Sequence, residues 1–270
     1  MSILEKIAAH KRQEVQANRE LYPMKLLEQS LYFQTPVVSL REYLLRPDRV
    51  GVIAEFKRRS PSKGDINPTA DVEAVSIGYM QAGASALSIL TDQQYFGGKK
   101  EDLTTARIYN FCPILRKDFI VDRYQIVEAR SIGADVVLLI AEILTKAEVA
   151  DLAGFARQLG LEVLLEIHSE EQLDKWCPDV DVIGVNNRDL HRFEVSVETS
   201  HRLFSALPTE SIPISESGIS DPATVARLAE TGYRGFLMGE HFMKTAEPAA
   251  TCREFIQDVQ RLRGVPTPTI

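Results

Sequence analysis

Eight short apolar runs recur along the chain, and most of them close on a residue able to do chemistry: Glu55 and Lys57, Asp92, Lys117, Glu142, Glu166, Asn186 and Arg188, Ser217-Gly218, and Gly239. The runs cover 52–56, 86–90, 113–116, 135–140, 162–167, 182–185, 212–215 and 235–238, and amphipathic segments such as 71–82, 124–132, 146–159 and 222–231 lie between them. Strands alternating with helices through right-handed crossovers build a parallel sheet. Eight such units predict an α/β fold of the closed (β/α)8 TIM-barrel type, whose strands all end at one rim. Residues far apart in sequence meet there, so function is read at the strand ends.

Local signals agree with these boundaries. Ser169 followed by Gln172 reads as a capping box after the fifth strand, and Ser220-Asp221-Pro222 starts a helix after the seventh. Gly83, Gly133, Gly160 and Gly232 sit where helices should stop. A doubly wound open sheet is the rival architecture, but no GxGxxG follows the first run. The first fifty residues lack strand runs; Ile3, Ile7, His10 and Val15 lie on helical spacing and 38–45 reads as a short helix. The expected organisation is one barrel domain over 1–270, of which 1–50 is an N-terminal helical extension.

A chain of 270 residues with 44% hydrophobic and 26% charged content suits one large α/β domain. Its net charge of -7 leaves no basic surface for nucleic acid or anionic lipid, so an anionic ligand must find a local basic pocket. Cys112, Cys177 and Cys252 form no CxxC pair, which predicts neither a zinc site nor a disulfide framework and suits a reducing cytosol. No apolar stretch reaches spanning length and the charged amphipathic start is unlike a signal peptide, so a soluble cytoplasmic protein is expected. The five histidines, His168 among them, form no set with ligand spacing, and no metal is predicted.

The first run continues as Ile53-Ala54-Glu55-Phe56-Lys57-Arg58-Arg59-Ser60-Pro61-Ser62-Lys63-Gly64, and strand alternation puts Glu55 and Lys57 on one side, facing the barrel mouth. A carboxylate and an ammonium at that depth tune each other's pKa, and Lys57 can neutralise a bound anion. A structural ion pair is the competing reading. Arg58, Arg59 and Lys63, with Pro61 and Gly64, suit a mobile basic flap over an anionic substrate; for Arg58 and Arg59 a solvated charge run is the alternative.

In Pro113-Ile114-Leu115-Arg116-Lys117-Asp118-Phe119, Lys117 shares a side with Leu115 while Arg116 points the other way, so Lys117 is aimed inward. Desolvation is expected to lower its pKa, making it a general acid or a Schiff-base lysine, with an anion clamp as the alternative. Glu166 finishes an apolar strand, where a raised pKa would suit proton abstraction; a capping or paired structural Glu competes with that reading.

The sixth run leads into Gly184-Val185-Asn186-Asn187-Arg188-Asp189, which offers amides and a guanidinium to orient a carboxylate or a hydroxyl-rich ligand. Turn chemistry explains one Asn more easily than both together with the Arg. Ser215-Glu216-Ser217-Gly218-Ile219 and Leu237-Met238-Gly239-Glu240 follow strands seven and eight, where barrels hold a phosphate on backbone N–H groups. Glu240 would repel such an anion unless its side chain turns outward.

These segments, together with Phe96-Gly97-Gly98, Tyr124-Gln125-Ile126 and the continuation of the sixth motif to Leu190, resemble indole-3-glycerol-phosphate synthase. The similarity runs over nearly the whole chain, with several motifs in order. It implies ring closure of 1-(2-carboxyphenylamino)-1-deoxyribulose 5-phosphate to indole-3-glycerol phosphate, carbon dioxide and water, in tryptophan biosynthesis and without cofactor or metal. By matching position, Lys117 is implied as the principal general acid and Glu166 as the general base. Glu55 assists, and Lys57 contacts the substrate anion or shares acid duty. Ser60, Asn186 and Arg188 are implied substrate contacts, and Glu216, Ser217, Gly218, Gly239 and Glu240 surround the ribulose and phosphate. Phe96, Phe119 and Leu138 wall the aromatic ring, where exclusion of water favours the compact reactive conformer.

Lys99-Lys100 makes the loop after Gly98 more basic than in many relatives, and Trp176-Cys177-Pro178-Asp179 is a shorter approach to strand six. Two other readings stand beside the main one. A phosphate-binding barrel such as phosphoribosylanthranilate isomerase would use a Cys and Asp pair at strand ends, and no run here ends in Cys. A silent partner subunit would lack the acid or the base, yet Lys117, Glu166, Glu55 and Lys57 are all present. The expected partner is a small phosphorylated molecule, bound by a monomer or weak homo-oligomer.

Overall fold

The strands fall where the apolar runs lie because each run is buried on both faces, as parallel strands wrapped by helices must be. The computed structural model describes residues 3–189 and 194–266; Leu190 and the first two residues lie outside that range. Strands β1 (Val52–Phe56), β2 (Ala86–Leu90), β3 (Ile114–Lys117), β4 (Val136–Ile140), β5 (Glu162–Ile167), β6 (Val182–Asn186), β7 (Ile212–Glu216) and β8 (Gly235–Met238) pair in sequence order. β8 pairs back onto β1, so the sheet is a closed parallel barrel. A two-strand hairpin, Arg59–Ser60 with Gly64–Asp65, rises from the loop after β1.

The period of two along each strand divides the core into an inner and an outer set. Ile53, Ala86, Leu115, Leu138, Leu164, Val182, Ile214 and Leu237 pack inside the barrel. Val52, Ala54 and Phe56 face the other way, toward a shell of helices that includes α3 (Val72–Gln81), α4 (Lys100–Tyr109), α5 (Arg123–Ser131), α6 (Lys146–Gln158), α7 (Glu198–Leu203), α8 (Pro222–Thr231), α9 (Glu240–Met243) and α10 (Pro248–Arg263). Alternation therefore sends Glu55 inward with Ile53.

Ahead of the barrel, α1 (Ile3–Leu21) and α2 (Leu40–Leu44) serve opposite ends. The Glu162 carboxylate at the start of β5 accepts the backbone N–H groups of Leu40 (2.8 Å) and Arg41 (3.1 Å), which anchors α2 under the amino-terminal end; Leu40 and Leu44 complete the inner core there. α1 crosses the opposite end. Its buried face is Leu4, Ile7, Ala8, Lys11 and Val15 rather than the Ile3, Ile7, His10 and Val15 stripe that apolar spacing suggested.

The capping box expected after β5 does not form. Residues Glu170–Lys175 make a six-residue 3-10 helix, and the Ser169 side chain caps no backbone N–H. Gln172 instead accepts the His168 N–H (2.8 Å) and donates to Glu142. Pro178 and the start of β6 at Val182 follow so soon that less than a full α-helix fits before the chain turns. At α8, by contrast, Asp221 caps and Pro222 opens the helix as the sequence predicted.

Candidate active site

At the carboxyl rim of the barrel lies a cavity of about 610 Å³. Glu55, Lys57, Ser60, Phe96, Lys117, Phe119, Leu138, Glu166, Asn186, Arg188, Glu216, Ser217, Gly218, Gly239 and Glu240 all line it, so every residue that the resemblance implied as catalytic or substrate-binding converges there. Asp92 and Glu142, also at strand ends, do not line it. Asp92 is fully buried and caps the short helix Gln93–Phe96 through Tyr95 and Phe96.

At the floor, Lys117 Nζ is 2.8 Å from Glu166 Oε2 and 3.6 Å from Glu216 Oε2, so one ammonium spans the ends of β5 and β7. Lys57 Nζ is 2.7 Å from Glu55 Oε1 in a second pair. This arrangement reverses the expected tuning. Burial alone would push the Lys117 ammonium down, but Glu166, Glu216 and Glu55 outweigh it and hold the pKa well above the ordinary lysine value. Burial would likewise push Glu166 up, yet Lys117, the neighbouring His168 and the side-chain hydrogen bonds from Lys117 and Asn186 hold it near 2. The raised carboxyl is Glu216. Burial lifts it to about 8 against the pull of Lys117, and the negative charges of Glu166 and Glu55 add to the lift. The cluster therefore keeps Lys117 charged, Glu166 ionised and Glu216 protonated at neutral pH.

Two glycines make room for these acids. A methyl group on Gly184 would stand 2.0 Å from Glu216 Oε1, and one on Gly239 would stand 2.7 Å from Glu55 Oε1 and 2.9 Å from its Cβ. Ser217 adopts a left-handed φ of 68°, held from behind by Asn187, whose side-chain amide donates to the Ser217 carbonyl (3.0 Å) and to Ser215 Oγ (3.0 Å). Asn187 also accepts from Ser200, so it points away from the cavity and only Asn186 of the pair faces in. Asn186 Oδ1 accepts the Arg188 N–H (3.0 Å), shaping the turn that carries the guanidinium.

The basic flap is narrower than its sequence suggests. Arg58 grips Asp102 through both terminal nitrogens and lies over the Phe56 ring, and Arg59 binds the carbonyls of Gln93 and Gln94. Only Lys63 reaches the cavity, and its Nζ is 3.9 Å from Glu240 Oε1, so the Glu240 side chain leans toward a cation. Lys100 pairs with buried Glu128, and neither it nor Lys99 lines the cavity. Phe96 and Phe119 form an aromatic wall with ring centroids 5.8 Å apart. Sequence reasoning missed the roof, where Ile3, Leu4 and Ile7 of α1 close over the cavity, and it missed Lys244 and His241 at the phosphate-type corner. The helical periodicity of α1 was the signal for the roof; nothing marked Lys244.

A family model described as indole-3-glycerol phosphate synthase matches residues 4–255. The chain belongs to the indole-3-glycerol phosphate synthase family. It is 48% identical over 258 residues to the indole-3-glycerol phosphate synthase of Bacteroides thetaiotaomicron, covering 96% of this chain and 99% of that one. Identity to the synthase of Laribacter hongkongensis is 44% over 253 residues, covering 92% and 96%. Among solved structures, 3-hexulose-6-phosphate synthase from Salmonella typhimurium superposes with a TM-score of 0.62 over 78% of this chain and 99% of that one, at 12% identity, a likeness of fold alone. Of the two lysines after Gly98, Lys100 is thus taken up by the protein's own Glu128, and neither faces the cavity.

Proposed function

We propose that this cavity closes the indole ring, converting 1-(2-carboxyphenylamino)-1-deoxyribulose 5-phosphate to indole-3-glycerol phosphate, carbon dioxide and water. Family membership makes the chain a carboxy-lyase of tryptophan biosynthesis. The observation that carries the assignment of roles is the 2.8 Å contact between Lys117 and Glu166 on the cavity floor, beside the Phe96 and Phe119 wall.

In this reading the anthranilate ring stacks against Phe96, Phe119 and Leu138, which exclude water and strengthen the charges beneath. Lys117, charged in the cluster, gives a proton to the ketone oxygen as the ring carbon bearing the carboxylate attacks it. Carbon dioxide then leaves that carbon, its bonding electrons restoring the benzene ring, and the new hydroxyl, given a second proton by a lysine of the site, leaves as water to complete the indole. Glu166, ionised in the cluster, removes the proton that this elimination releases. Glu55 assists, and Lys57 meets the substrate carboxylate or shares the acid duty. Ser60, Asn186 and Arg188 orient the substrate, while Glu216, Ser217, Gly218, Gly239 and Glu240 surround the ribulose and phosphate. Lys117 thus holds a proton to give and Glu166 is ready to take one, and substrate has to part their ion pair to bring both groups toward the neutral pKa that general acid and base catalysis favours.

We further infer a cytoplasmic enzyme acting on a small phosphorylated molecule as a monomer or weak homo-oligomer. Three unpaired cysteines support the reducing setting. No helix among the described residues is long and apolar enough to cross a membrane. The test is a fluorescence assay of the purified protein with the carboxyphenylamino-deoxyribulose phosphate, without added metal or cofactor. Formation of indole-glycerol phosphate is expected; tight binding with no product would point to a silent subunit, and neither binding nor product would sink the reading.

A further inference from the structure

We propose that Lys11, which belongs to the N-terminal helix and not to the barrel, is a positioning residue for the aromatic slot of the cavity, acting through two buried aspartates at the ends of β2 and β3. The inference rests on the proposed ring closure, since it concerns the wall against which the substrate ring would stack.

Lys11 is only 1% exposed, an unusual place for a lysine on a helix at the chain's start. Its Nζ lies 2.9 Å from Asp92 Oδ2, 3.0 Å from Asp118 Oδ1 and 3.0 Å from Glu14 Oε2. Each aspartate has a second task. Asp92 Oδ1 accepts the backbone N–H groups of Tyr95 (2.7 Å) and Phe96 (3.2 Å). Asp118 Oδ1 accepts the Phe119 N–H (2.8 Å), while its Oδ2 takes Thr91 Oγ1 (2.6 Å) and Arg116 Nη2 (3.1 Å). One ammonium thus holds both carboxylates, and the carboxylates hold the backbones of the two phenylalanines that form the wall. Asp118 also follows Lys117 directly in the chain.

Helix spacing extends the effect to the roof. Leu4 and Ile7 lie seven and four residues before Lys11, on the same face of α1, and both line the cavity. Stability alone is a poor explanation for this cluster, because well-packed apolar residues often replace a buried ion group without loss. What such a group supplies is a fixed arrangement: a charge among aspartates from two strand ends tolerates one placement of the helix and one separation of the loops. The slot contacts the ring alike in the ground and transition states, so loosening it removes uniform binding, which raises KM and leaves kcat in place.

The test is Lys11→Met in the full chain, assayed at steady state well below its melting temperature. We expect KM to rise about tenfold with kcat within about threefold of the parent, the signature of lost uniform binding. An unchanged KM in the folded variant, or a fall in kcat alone that tracks a lost folded fraction, would overturn the proposal. Should Lys11→Met not fold, Asp92→Asn keeps an acceptor for Tyr95 and Phe96 while removing the charge that Lys11 holds. The same rise in KM is expected there, and an unchanged KM refutes the positioning role. The parent's own turnover in this assay separates the two readings: its absence defeats the proposed function and this inference with it, whereas a working parent with an indifferent variant defeats this inference alone.

Discussion

The Glu216 carboxylate lies directly over Gly184, so close that a single added methyl would stand 2.0 Å from Oε1. Glu216 sits opposite Asn186 in the register between β6 and β7, and Gly184 is the residue that clears the space beside it. Gly184→Ala should therefore leave the strand intact but push Glu216 away from Lys117 and Glu166. A displacement near 1 Å at a reacting site costs on the order of a hundredfold in rate. The expected outcome is a folded protein with kcat/KM down by about that factor, checked by steady-state kinetics beside a melting curve. Parental kinetics would mean that Glu216 has room to move without consequence.

Removing the acid or the base should be more severe. Lys117→Ala takes away a cation shared by Glu166 and Glu216, and Glu166→Gln removes the ionised acceptor. Loss of a positioned general acid or base lowers turnover by about 10² to 10⁴. Both variants are expected to fold and to lose turnover on that scale in single-turnover measurements. A near-parental rate in either would end that residue's assignment.

Much of this site was legible because strand ends of a closed barrel converge whatever the intervening sequence. The runs at Val52–Phe56, Ala86–Leu90, Glu162–Ile167 and Gly235–Met238 coincide with their strands residue for residue, since two-sided burial leaves an uninterrupted apolar signature. The charge states were not legible. An apolar strand end suggests desolvation as the main influence on Lys117 and Glu166, whereas Lys117 is tuned against burial by Glu166, Glu216 and Glu55, and Glu166 by Lys117, His168 and Asn186, groups brought together from different strands. Lys11 carries no signal of its own in the sequence for a similar reason: a lysine in a charged amphipathic helix looks solvated until Asp92 and Asp118 are placed against it. Asn187 looked like a ligand because nothing in the sequence shows Ser200 and Ser215 waiting behind it.

The protonated Glu216 gives the reaction an alkaline limit. Its carboxyl, raised to about 8, is neutral at pH 7 and ionises as the pH passes that value. A further negative charge then appears beside Glu166 in a cavity meant for a substrate carrying a carboxylate and a phosphate. Repulsion weakens binding, so kcat/KM, which reports ionisations of the free enzyme, should fall above about pH 8. Glu216→Gln retains a similar shape without titrating there, and its kcat/KM is expected to stay flat through the same range. An unaltered alkaline limb in Glu216→Gln would assign the limb to another group.

Acid should remove the stability that Asp118 draws from Lys11, because this carboxylate is ionised in the folded state. Burial pushes the Asp118 carboxyl upward, but Lys11, Arg116 and the Thr91 hydroxyl together hold its pKa far below the usual carboxylate range. A group depressed on folding binds protons more readily in the unfolded chain. Its stabilisation is therefore complete above the unfolded value of about 3.9 and is lost as the pH falls from there toward the lower folded value. Asp118→Asn removes that dependence while leaving Lys11 and Arg116 short of a partner, and breaking a buried pair costs about 3–5 kcal/mol. The variant is thus expected to melt well below the parent at pH 7, with the gap between the two narrowing below about pH 4 as the parent's unfolded chain takes up the proton at Asp118. Thermal melts of both proteins across the acid range decide the matter. Parallel curves would mean that Asp118 gains nothing from Lys11 on folding, and the link between α1 and the ends of β2 and β3 would then have to be apolar, through Leu4 and Ile7.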